Sequence, residues 1–361
     1  MDFALSNEQR DLADAERAWL DKHDPIGLRR RSVDEPAGAL SADERRHIAE
    51  AGIGELLTEE LGGTNVDLLV LVEAHGHAGS ALPVAELALA GRLEEIVAAR
   101  TEATHAGAGP DAGTADAADV VVPVLADGCL VSIDDADRLT IRGVSAPVTG
   151  LVGADRIVIV ATIGDGGDLA AVVPARAVTV RPLQTLDILR SWAVAELDLT
   201  LGPGAWIRLA SGEKDYVADQ VAVFRAVDAL GAADRLLALT VEYANQRKQF
   251  DSLIGSFQAI KHRCADMALT VAAARSSLWA AASALDENDA DVRSRAVAGA
   301  AAYTGVGASR VAQDALQIHG GIGFTWEHDL HLLLRRIKVD ELYGCSTRAH
   351  RRRLVFAGAG E

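Results

Sequence analysis

The stretch Tyr243-Ala-Asn-Gln-Arg-Lys-Gln-Phe250, with its continuation to Gln258, holds residue types that could grip an anion. Apolar residues recur at helical spacing from Val217 to Leu239 before it. Phe257, Ile260, Cys264, Met267 and Leu269 open a second such face after it. Arg247 then stands at the end of one helix, beside Phe250 and a turn. A planar guanidinium placed there can make two charge-assisted bonds to pyrophosphate oxygens. The turn from Phe250 to Gln258 has a small-polar character that would cap the second helix. Taken alone, these residues favour a plain helix–turn–helix with a solvated Arg247.

A second stretch, Gln317-Ile-His-Gly-Gly-Ile-Gly-Phe-Thr-Trp-Glu-His-Asp-Leu330, has three glycines in four positions followed by two aromatics. Together the two stretches show an Arg-x-x-Phe, a Gln eleven residues after that Arg, and a Gln-x-x-Gly-Gly-x-Gly-Phe. In this the chain resembles the acyl-CoA dehydrogenase family. Met1-Asp-Phe-Ala-Leu-Ser-Asn-Glu-Gln-Arg10 and Ala51-Gly-Ile-Gly-Glu-Leu-Leu-Thr-Glu-Glu-Leu-Gly-Gly63 look like earlier segments of the same family. The resemblance implies FAD as cofactor. It makes Arg247, Phe250, Gln258, Gln317, Gly320 and Gly321 the residues that contact it, reaching the FAD of a neighbouring subunit.

That family oxidises an acyl thioester to its α,β-enoyl form. A carboxylate must reach the α-proton, and fixed donors must stabilise the charge that develops on the thioester carbonyl. The family carries its glutamate base at one of two places. One falls on Gly344, within Tyr343-Gly-Cys-Ser346, and the other on Val221, so neither place holds a carboxylate. The arginine that often follows the second place falls on Ala222, with Arg225 a possible substitute one turn on. The flavin-side loop motif of the family has no counterpart between Ala106 and Asp135. In Pro147-Val-Thr-Gly150 the threonine is kept as Thr149, but a tryptophan is replaced by Pro147.

The cofactor-donating side is thus retained while the base and the flavin-facing loop are not. By resemblance, this is the pattern of the non-catalytic subunit in a heterotetramer with a homologous catalytic subunit, as in actinobacterial steroid side-chain dehydrogenases. No catalytic residue is assigned to this chain. Two alternatives stay open: an active homotetramer with a displaced base such as Glu341 or Asp340, and a flavin-free scaffold or regulatory protein. His319 reads as a packing or backbone-bonding histidine. No metal pattern surrounds His328 and His331, and Cys345 lacks an evident histidine partner.

Stepping from sites to elements, periodicity gives a helical region, a run of short β segments, and a second helical region. The expected fold is α+β: an N-terminal helical domain over 1–115, a central β-sandwich or barrel over 116–207, and a C-terminal four-helix bundle over 208–361. Ser6 or Asn7 would cap the first helix, and Ser41 with Glu44 forms a capping box. The basic segment Arg348–Arg353 is a solvated helix face or a contact with an anion or acidic partner. Over 361 residues the net charge of −17 argues against a nucleic-acid partner. Three separated cysteines, an acidic start and no membrane-length apolar run suit the cytoplasm.

Overall fold

The computed structural model describes residues 5–31, 38–104, 119–164, 166–287, 289–343 and 346–357. Among the described residues five helices come first: α1 (Asn7–His23), α2 (Pro25–Arg31), α3 (Ala42–Glu50), α4 (Asn65–Ala78) and α5 (Val84–Thr104). The starts of α1, α3 and α4 are fixed by reciprocal capping boxes, Ser6 with Gln9, Ser41 with Glu44 and Thr64 with Asp67.

Nine strands among the described residues follow: β1 (Val121–Leu125), β2 (Leu130–Ile133), β3 (Leu139–Val144), β4 (Val148–Thr149), β5 (Arg156–Thr162), β6 (Asp168–Pro174), β7 (Thr179–Leu183), β8 (Trp192–Leu201) and β9 (Ile207–Arg208). They form two sheets. One runs β1-β5-β6-β9, with β1 and β5 parallel. The other runs β2-β3-β8-β4, with β7 also on β8. Ile157 and Ile159 of β5 face the core shared with Leu139, Ile141 and Ala195 of the second sheet. The alternate residues Val158 and Val160 face Ala90 and Leu93 of α5. Burial on both faces explains why β5 reads as a continuous apolar run.

The remaining helices are α6 (Glu213–Gln246), α7 (Gln258–Leu285), α8 (Ala290–His319), α9 (Leu330–Tyr343) and α10 (Thr347–Ala357). The architecture is α+β, with a helical N-terminal part, a central pair of sheets and a helical C-terminal part. The first and last parts share one apolar core running from Ile26 to Ile337. The close crossing of α4 and α6 joins them. A Cβ on Gly231 would lie 2.3 Å from the Glu73 carbonyl, and one on Gly76 would lie 2.4 Å from that of Asp228. Only glycine permits this approach.

Three local expectations need correction. The segment after Arg247 is not merely a capping turn. It contains a two-residue hairpin, β10 (Lys248–Gln249) with β11 (Ser252–Leu253). Phe250 and Asp251 reverse the chain between these strands at φ 52° and 59°, as a primed turn requires. The cap position of α7 is Phe257, and no side chain bonds its first amides. The basic α10 is not wholly solvated either: Arg353 turns inward to Ser294 and to the buried Asp219, which Arg293 also meets. No described helix is long and apolar enough to cross a membrane.

Candidate active-site cleft and cofactor-donating ridge

The α6 helix presents Val221, Phe224, Arg225 and Asp228 toward α4, α5 and the β4 strand. Between them lies a cavity of about 30 Å³, also lined by His75, Glu86, Thr149, Arg190 and Arg336. That is room for about one water. Val221 and Thr149, which the family resemblance assigns to the base position and the flavin side, therefore meet at the same cavity. Arg225 is ion-paired with Glu86, and Thr149 donates to the Glu86 carboxylate at 2.8 Å. Glu86 and Asp228 both line the cavity, and each is held by a cation rather than left free.

Below lies a buried ionic network. Arg190 donates to Asp187 at 2.6 Å, to Asp228 at 3.0 Å and to Asp340 at 2.7 Å. Arg336 reaches Asp228 at 2.6 and 2.7 Å and the Ser80 carbonyl at 2.6 Å. Burial raises the cost of charge on Asp228, yet Arg336 and Arg190 more than offset it and hold its pKa far below the carboxylate range. Burial drives Asp340 the other way, well above that range. The charge of Asp228 adds to the rise and Arg190 opposes it. Two guanidiniums, Arg190 and Arg336, thus meet three carboxyl groups, Asp187, Asp228 and Asp340, in a dry interior.

The displaced-base candidates are thereby located. Asp340 is locked in this network. Glu341 points to α8, accepting from Ser309 at 2.7 Å and Lys338 at 3.0 Å, and does not line the cavity. Gly344 and Cys345 lie outside the described residues, as does the whole stretch from Ala106 to Ala118.

The second site is a ridge on the C-terminal helices. Arg247 is the exposed C-cap of α6, and its guanidinium has no hydrogen bond or ion pair among the described residues. Phe250 is 90% exposed. Holding a bulky residue at positive φ is unfavourable, so the hairpin presents this ring to solvent against its local preference. Gln258 is the exposed first residue of α7, beside uncapped amides. Gln317 is exposed on the last turn of α8. Gly320 follows at φ 62° and ψ −137°, a glycine-only conformation, and Gly321 is exposed beside it. The two motifs meet through Tyr243, whose ring stacks on His319 at 4.5 Å and 17°. Free amides, an unpaired guanidinium and exposed aromatics fit a long anionic cofactor with a flat ring.

A protein of Mycolicibacterium smegmatis named acyl-CoA dehydrogenase IpdE2 is 30% identical to this chain over 335 residues, covering 92% of this chain and 93% of its own. The chain belongs to the acyl-CoA dehydrogenase family. The model of the acyl-CoA dehydrogenase C-terminal domain matches residues 219–357, which include the whole ridge. The fold is likewise that of solved acyl-CoA dehydrogenases. It is similar to the Mycobacterium tuberculosis ChsE4–ChsE5 complex, with a TM-score of 0.81 at 24% identity over all of both chains. It is also similar to a Tcur3481–Tcur3483 steroid ACAD, with a TM-score of 0.80 at 24% identity over 98% of each. FAD is the redox cofactor of this family, and the ridge has the donors such a group needs.

Several of these features escaped sequence reading. Glu86, Arg225, Asp228 and Arg336 are charges set inside apolar helical runs, such as Val223-Phe-Arg-Ala-Val227, and that signal marks buried ion pairs. The Tyr243–His319 contact left no trace in spacing.

Proposed function

We propose that this chain is the cofactor-donating, non-catalytic subunit of a heteromeric FAD-dependent acyl-CoA dehydrogenase of the cytoplasm. Its partner is a homologous subunit that carries the catalytic glutamate and the acyl-CoA. A steroid side-chain or other lipid thioester is the substrate class, a reading supported by the similarity to a steroid ACAD. The chemistry FAD would supply when bound is hydride acceptance at the acyl β-carbon. This chain supplies Arg247 to the pyrophosphate and offers Gln258, Gln317 and the Gly320–Gly321 amides to the rest of the cofactor.

The observation that carries the reading is the cleft. Where a catalytic chain needs room for a thioester and a free carboxylate, this chain has about 30 Å³ and a Glu86 paired to Arg225. A base must lie within hydrogen-bond reach of its proton, and the narrow, cation-paired cleft supports the reading that another chain supplies it.

The test is expression alone and with the homologous partner. The chain alone should purify with little flavin, and the complex should be yellow. Arg247→Ala should leave the complex assembled while weakening FAD by about ten- to a hundredfold, the loss of one charge-assisted bond. A yellow homo-oligomer with one FAD per chain would overturn the proposal.

A further inference from the structure

The hairpin with Arg247 and Phe250 hangs from the end of α6, and the glycine turn hangs from the end of α8. Helix ends fray unless a tertiary contact anchors them. Here one contact joins both last turns. Tyr243 lies one turn before Arg247, and His319 is the residue immediately before Gly320. Their rings stack at 4.5 Å and 17°. The Tyr243 hydroxyl also donates to the His319 carbonyl at 3.5 Å, a long bond that adds direction more than strength.

The His319 ring is itself fixed. It is 4% exposed, and its Nδ1–H donates to the Ala315 carbonyl at 2.8 Å. That bond sets the tautomer and leaves Nε2 as a lone pair, which has no partner among the described residues. The His328 ring meets the His319 ring edge-on at 4.7 Å. His328 Nδ1 accepts the Leu330 amide at 3.1 Å, which fastens this group of three rings to the start of α9. Three helices, α6, α8 and α9, are therefore joined through these rings beside the exposed ridge.

Resting on the donor reading above, we propose that His319 is the positioning residue of the ridge. Through its stack on Tyr243 it holds the Arg247 hairpin and the Gly320 turn as one surface, so that both meet the same cofactor at once. It does not touch the cofactor. The requirement is geometric, because groups acting together on one ligand need placement within a fraction of an ångström.

The test uses the complex with its catalytic partner and two readouts. In His319→Ala, amide exchange should accelerate both at Gly320–Phe324 and at the hairpin Lys248–Leu253, about seventy residues away in sequence, and flavin retention should fall at least fivefold. In His319→Phe, which keeps a flat ring on Tyr243, both should stay near wild type. Unchanged hairpin exchange in His319→Ala overturns the proposal. So does a His319→Phe variant as impaired as His319→Ala, since the stack would then not be the cause. Arg247→Ala, measured alongside, separates the two failures. Flavin loss there with an unmoved hairpin in His319→Ala overturns the coupling alone. Undiminished flavin in Arg247→Ala overturns the donor reading, and the positioning role with it.

Discussion

At the scale of single residues, Glu341 and Glu16 give the sharpest expectations. Glu341 is engaged by Ser309 and Lys338 and faces away from the cleft. Glu341→Gln in the complex should therefore change turnover less than about tenfold, against the 10²–10⁴ loss expected for a general base. A steady-state assay with a suitable acyl-CoA decides between the two. Glu16 is buried in α1, where desolvation alone would raise its pKa. Hydrogen bonds from His47 at 2.9 Å and His75 at 2.7 Å win instead and hold it at about 2. A depressed carboxylate pKa adds stability that is present above the ordinary value of 4.5 and lost as pH falls toward 2. Glu16→Gln should thus lower Tm at neutral pH and flatten the loss of Tm between pH 4.5 and 2. An acid melting series that parallels wild type would refute this. The residue types of the proposed ridge were legible in the sequence, because Arg247, Gln258, Gln317 and the glycines stand in a recognisable spacing. The ion-paired cleft was not, because missing carboxylates at Val221 and Gly344 do not reveal that Arg225 pairs with Glu86 there.

At the scale of elements, packing at helix crossings sets the outcome of small changes. Gly231→Ala would place a methyl 2.3 Å from the Glu73 carbonyl, and backbone cannot retreat there without parting α4 from α6. Denaturant melts should show a loss of about 1–3 kcal/mol or more. Gly299, in the middle of α8, has nothing within 4 Å of the same added atom. Gly299→Ala should stabilise by about 0.5–1 kcal/mol through helix propensity. Two glycines in similar helical runs thus differ in sign, and sequence alone cannot separate them, since the difference lies in what another helix brings opposite. The long helices and most strands were readable from their periods. The two-residue strands β4 and β9 were not, being too short to show one.

At the scale of the whole molecule, order of elements was legible because helical and strand periods change abruptly near Asp119 and Ser211. The shared core was not, because nothing local marks that α4 packs on α6 as if it belonged to the C-terminal bundle. Large apolar side chains lie open in the C-terminal part: Leu269 of α7 is 70% exposed, and Phe324 and Trp326, in the glycine turn and the loop before α9, are 72% and 58% exposed. Such exposure marks surfaces made to be covered. The isolated chain should bind a hydrophobic dye such as ANS, and adding the homologous partner should quench that signal. Undiminished dye binding in the complex would place the partner elsewhere.

The Phe250–Asp251 turn sets stability against use. A primed two-residue turn is served best by Asn-Gly, and this chain holds a phenylalanine and an aspartate there at φ 52° and 59°. Phe250→Asn with Asp251→Gly should raise the melting temperature of the chain. The same exchange removes the ring the ridge presents, so the hardier protein should be the poorer flavin partner. Selection for thermal robustness in a library of this protein would then enrich the Asn-Gly turn, and selection for a yellow complex would eliminate it.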